Sequence, residues 1–161
     1  MDRPLMEFRL TAAPFGPRAP ELLRAALECL EEDALSAPVR CAAAILSVEG
    51  KILAARTEFI LREPLRHALM MTVTQMLHTP ERRILMAAVV RQDEGRPPKL
   101  MLPCGTCRTL LHAYGGPDLR IVHLSEHSPE LTIIALKELL PLADGGPGLE
   151  VPDALFKTPQ E

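Results

Sequence analysis

The sequence has no tryptophan, one tyrosine and four phenylalanines in 161 residues. A protein that grips single-stranded nucleic acid by stacking bases on aromatic rings wants more ring surface than this. Positive charge is not in excess either: 18 Lys and Arg stand against 21 Asp and Glu, for a net charge of −3. No basic field therefore favours a phosphate backbone or an anionic membrane surface. No apolar run approaches the roughly 20 residues needed to cross a bilayer. The opening "MDRPLMEFRL" has neither the apolar centre of a signal peptide nor presequence character. Four cysteines are too few for a disulfide scaffold. The expectation is a cytoplasmic protein in a thiol-reducing compartment, with no nucleic acid and no membrane as partner. There, cysteines serve as metal ligands or redox groups more often than as structural bridges.

What is present is an ordinary globular composition, 47% hydrophobic and 24% charged, in a chain of one domain's length. Residues 1–19 are proline-rich and lack periodicity, which predicts an arm. "PELLRAALECLEEDAL" puts Leu22, Leu23, Ala26, Leu27 and Leu30 on one helical face, with Pro20 at its start. "VRCAAAILSVEGKILAAR" reads as a β-hairpin hinged at Glu49-Gly50. "PLRHALMMTVTQMLH" predicts a helix opened by Pro64. "RRILMAAVVR" is a strand-length apolar run expected to be buried on both faces. "CRTLLHAY" is a helix stopped by Gly115-Gly116, "LRIVHLS" a strand, and "ELTIIALKELLPLA" contains a last helix. One sheet with helices packed on it, an α/β sandwich, accounts for this order. The domain spans 20–149, and 150–161 form a tail.

Cys104 and Cys107 form a C-x-x-C at a strand-to-helix turn. Helix-start amides and the positive helix end favour thiolates there. Zinc prefers sulfur and nitrogen donors in a tetrahedron, and a catalytic site leaves one position open. Two thiolates and one neutral imidazole would balance Zn²⁺ in charge. His67, His78, His112, His123 and His127 are the imidazoles available. His67, in the first turns of its helix, can present its ring from a second helix start. Cys29 and Cys41 fall among apolar neighbours and are expected not to be ligands.

"PCGTCRTLL" resembles the P-C-G-x-C-R-Q motif of the cytidine deaminases, whose signature pairs H-x-E with P-C-x-x-C. "AAAILSVEGKILAA" resembles that family's first hairpin and "TIIALKELLPLADGGPGLE" its closing segment, so the likeness runs from about Pro20 to Leu149. The resemblance implies a cytidine-deaminase-like three-layer α/β/α sandwich with one mixed sheet. It implies Zn²⁺ held by His67, Cys104 and Cys107, with Arg108 hydrogen-bonded to a thiolate from behind. It also implies a nucleoside-like small-molecule ligand and a homo-oligomer, dimer or tetramer. The Leu- and Met-rich "HALMMTVTQML" agrees with a surface shared between copies.

The departures fall on the chemistry. Where the family has His/Cys-Ala-Glu, this chain has His67-Ala68-Leu69. The family Glu moves protons between the attacking water, the ring nitrogen and the leaving ammonia; a single positioned acid–base contributes roughly 10²–10⁴-fold. Leucine moves none. The ribose-holding N-x-E-N also changes. Counting back from His67 gives Arg56 and Glu58 at the Asn and Glu; counting forward from Gly50 gives Thr57 and Phe59. In the closing segment Asp144 stands where the family has an aromatic, and Thr109 replaces the Gln after the Arg. Glu63 is a surrogate acid four residues before His67, although an acid at a helix start also complements the dipole. Three readings follow: a zinc-binding relative without standard deamination; an active hydrolase of cytidine or a related amino-heterocycle with another proton shuttle; and a zinc-stabilised interaction domain.

Overall fold

Strand β1 (Val39–Ser47) sends its alternating side chains into two separate cores. Ala43 and Ile45 enter one buried cluster, while Ala42, Ala44 and Leu46 enter another on the opposite face. This period-2 division is what a strand covered on both sides requires. It fixes the layering of the whole chain. The computed structural model describes residues 18–31, 38–60, 63–124 and 131–140, with 58–60 and 63–66 described by backbone alone.

Strand β2 (Ile52–Arg56) closes the expected hairpin on β1, with Ala43 opposite Ala55. Gly50 turns it at φ 92°, a left-handed backbone that glycine adopts without steric cost. A short ribbon of β3 (Glu58–Ile60) and β4 (Glu63–Arg66) follows, then helix α2 (Ala68–Leu77). Strand β5 (Ile84–Asp93) pairs with β1 along almost its full length. A bulge at the Leu46/Ser47 step leaves Leu85 unpaired and 41% exposed, and puts Ile84 in the same cluster as Ile45. Strand β6 (Lys99–Met101) folds back on the second half of β5 and leads into helix α3 (Gly105–Gly115). Strand β7 (Arg120–Leu124) then pairs in parallel with the first half of β5. Strand β8 (Leu131–Ala135) and the single-turn helix α4 (Leu136–Leu139) complete the described chain.

The main sheet has the order β2-β1-β5-β7-β8, with β6 also on β5; one parallel pairing among antiparallel ones makes it mixed. Helix α1 (Arg18–Glu31) covers one face through Leu22, Leu23, Ala26 and Leu30. Helices α2, α3 and α4 contribute Leu69, Val73, Met76, Leu111 and Leu136 to the cluster on the other. The result is the three-layer α/β/α sandwich. Among the described residues no helix is long and apolar enough to cross a membrane.

Three boundaries differ from the sequence reading. α1 starts at Arg18, not Pro20, and Arg18 pairs with Glu21 at 2.8 Å. Proline fits there because first-turn amides lack helical partners anyway. Pro64 does not open α2; it lies in β4 opposite Phe59, and the helix begins at Ala68. A fixed φ near −65° suits an edge strand as well as a helix start, and the residue before proline is pushed to extended backbone. The segment read as containing only a last helix begins with β8, where Thr132, Ile133 and Ile134 supply β-branched character, and keeps one helical turn. Glu130, the part of that segment beyond Leu140 and the arm before Arg18 lie outside the described residues.

Candidate metal centre

Two helix starts meet at one point. His67 is the N-cap of α2 (φ −68°, ψ 149°) and Cys104 the N-cap of α3 (φ −67°, ψ 168°). Both are extended, as the end of a strand or loop entering a helix must be. N-cap side chains usually bond to amides of their own first turn. Neither of these does, which leaves the imidazole and the thiol to face each other. His67 Nδ1 lies 3.2 Å from Cys104 Sγ and 3.5 Å from Cys107 Sγ.

These distances test whether zinc fits. Bonds of about 2.0 Å to nitrogen and 2.3 Å to sulfur at tetrahedral angles separate the two donors by roughly 3.5 Å. The three donor atoms all lie within 4.8 Å of one another, and this is the cluster of metal-donor side chains found among the described residues. The donor set is one that zinc prefers, and the three atoms are close enough together to share one ion.

The site is graded in exposure. His67 and Cys104 are exposed, while Cys107, one helical turn further into α3, is 3% exposed and belongs to the core cluster that includes Leu69 and Leu111. Burial pushes the Cys107 thiol up to about 12, and hydrogen bonding to Cys104 and the charge of Cys104 add to the rise. The rise favours the protonated thiol at Cys107. A bound dication reverses this balance, because it stabilises the charged form directly.

Leu69, two residues after His67, is 2% exposed and sits in the same buried cluster as Cys107. Arg108 donates Nε to the Pro103 carbonyl at 2.7 Å and Nη1 to the Leu139 carbonyl at 3.0 Å. The bonds found for it therefore go to backbone, where a bond to sulfur was expected. Cys29 and Cys41 are half-buried in α1 and β1, outside the donor cluster. His78 caps the end of α2, His112 lies in the last turn of α3, and His123 lies in β7. Arg56 is exposed at the end of β2. Glu58 and Glu63 are placed by backbone on β3 and β4, in the ribbon just before His67. Asp144 and His127 lie outside the described residues.

Thr72 was not singled out by sequence. Its buried hydroxyl donates to Ala68 O at 2.8 Å and lies 3.3 Å from Ala43 O, tying the first turn of α2 to β1. The signal was a lone hydroxyl inside an otherwise apolar helix face.

No family model and no curated protein sequence matches the chain. Solved structures do. The cytidine deaminase of Mycobacterium tuberculosis superposes with a TM-score of 0.62 at 24% identity, over 76% of this chain and 93% of that one. The Mycobacterium leprae enzyme gives 0.61 at 22%, over 76% and 96%. The cytidine deaminase from Bacillus anthracis gives 0.64 at 19%, over 77% and 87%. The chain has a cytidine-deaminase-like fold, and on it a His/Cys/Cys cluster able to hold a metal ion.

Proposed function

We propose that this chain is a zinc-binding protein of cytidine-deaminase type in which standard hydrolytic deamination of cytidine is lost or severely reduced. His67, Cys104 and Cys107 would hold the ion, through Nδ1 and two sulfurs. Zinc, when bound, supplies a Lewis acid at its remaining coordination position. The observation carrying this reading is the convergence of three donors at two helix starts, on a fold shared with cytidine deaminases. In this reading Leu69 takes the place of the family's acid–base carboxylate, and its apolar side chain neither accepts nor donates a proton. A nucleoside-like ligand is proposed on the likeness, facing Arg56, Glu58 and Asp144, with Glu63 as the surrogate acid should turnover survive. The domain limits of 20–149 and a cytoplasmic location belong to the same proposal.

Elemental analysis of purified protein is expected to give one zinc per chain. Less than half an equivalent, in protein never exposed to chelator, counts against the proposal.

Association into a homo-oligomer is proposed as well. The core takes Leu69, Val73 and Met76 from α2, but Leu77 stays 42% exposed, two turns along from the half-buried Met70. This strip is the proposed contact between copies. Sedimentation at micromolar concentration is expected to give a dimer or larger mass; a monomer refutes it.

A further inference from the structure

The turn that carries both cysteines is closed by one residue, which bonds to its first two carbonyls. Arg108 N–H donates to Cys104 O at 2.9 Å as part of α3, and its side-chain Nε donates to Pro103 O at 2.7 Å, one residue earlier. The same guanidinium reaches across to Leu139 O, the last carbonyl of α4, at 3.0 Å. A planar fork with several fixed donors can hold two backbone carbonyls at once; the single rotating head of a lysine cannot match that geometry.

Helix α4 is one turn long and cannot hold itself together, because nucleating a turn costs more than its first hydrogen bond returns. It is held from outside. Leu136 N–H donates to Leu119 O and Lys137 N–H to Pro117 O, each at 2.8 Å, and Leu136 is fully buried in the cluster shared with Cys107. At its other end the partner of Leu139 O is the arginine beside the cysteines.

We propose that Arg108 is a positioning residue that couples metal occupancy of the His67/Cys104/Cys107 cluster to the docking of α4. The inference rests on the metal reading above. A metal held by Cys104 and Cys107 fixes the Pro103–Arg108 turn, which fixes the guanidinium against Leu139 O, and α4 gains order. The coupling is reciprocal: docking of α4 holds the turn ready and tightens metal binding by the same factor. Arg108 does this through backbone carbonyls, and among the described residues its side chain bonds to no ligand atom.

The experiment is hydrogen exchange on the full chain, with zinc and after its removal by a chelator, for the wild type, Arg108→Ala and Arg108→Lys. The amides of Leu136, Lys137 and Leu140 are the reporters, since each is hydrogen-bonded in the docked state. In the wild type, zinc removal is expected to speed their exchange. In Arg108→Ala they should exchange fast with or without zinc, and zinc affinity should fall by about 10- to 100-fold, the usual cost of losing a partner that orients a ligand. Arg108→Lys should recover part of the affinity. Val90→Ala, in the cluster on the opposite face of the sheet, serves as the control: it lowers stability but leaves affinity and the α4 zinc response intact. An Arg108→Ala protein with wild-type affinity and zinc-dependent α4 protection overturns the coupling alone. A wild type that takes up no zinc overturns the coupling together with the metal reading, and the zinc titration separates the two cases.

Discussion

Cys104→Ala is expected to abolish the proposed zinc binding and leave the fold standing. Cys104 is exposed, makes no capping bond to its own helix, and lies outside both buried clusters. Truncating it therefore removes a donor and little else. Cys107→Ala should match it in metal affinity and differ in stability. Cys107 is 3% exposed and packed in the cluster with Leu69 and Leu111, so losing its sulfur opens a small void under α3. For either variant the fall in zinc affinity should exceed the about 100-fold that loss of a mere supporting partner can cost. Competition against a chromophoric chelator measures the affinity. Thermal unfolding of the metal-free proteins measures the rest: Cys104→Ala should unfold with the metal-free wild type, and Cys107→Ala below it. Zinc should raise the unfolding temperature of the wild type only, because an ion that binds the folded form stabilises it by mass action. Full zinc affinity in Cys104→Ala would show that the cluster is not the site.

The parts of this design legible in the sequence are those that local chemistry dictates. β1 and β5 announce themselves because the part of a strand covered on both faces reads as a continuous apolar run, as Cys41–Leu46 and Ile84–Val90 do. The cysteine pair announces itself by spacing, since i and i+3 share a helix face and a strand-to-helix turn puts amides beside them. Pro64 misled because proline restricts φ to a value shared by a helix start and an extended edge. β8 was hidden in a short apolar run whose periodicity cannot separate strand from helix. Thr72 and the reach of Arg108 to Leu139 O were out of range for another reason. Each joins segments far apart in sequence, and nothing local marks which carbonyl a polar side chain will find. Leu69 lies between these cases. Its position was countable from His67, but only packing shows that it belongs to the cluster holding Cys107.

Leu69→Glu is expected to trade stability for a gain in deamination. The wild-type side chain is 2% exposed within an apolar cluster, so a carboxylate there loses both the leucine packing and its own hydration. Truncating a buried leucine alone costs about 2–5 kcal/mol, and the variant should lose at least that in metal-free form. Zinc should return part of the loss, because a cation beside a buried carboxylate favours its charged form. The chemical expectation runs the other way. A carboxylate two residues after His67 can accept a proton from the attacking water and pass it to the ring nitrogen, which leucine cannot do. Such a group contributes roughly 10²–10⁴-fold where it is well placed. Recovery should stay below normal turnover, since Arg56 and Asp144 also depart from the pattern the resemblance implies and neither is repaired. The measurement is ammonia release from cytidine by zinc-loaded wild type and variant at equal folded concentration. The wild type should sit barely above background, with the variant measurably higher. Robust deamination by the wild type would sink the proposal that Leu69 has silenced the site, and Glu63→Gln would then be the first variant to examine for the missing proton shuttle.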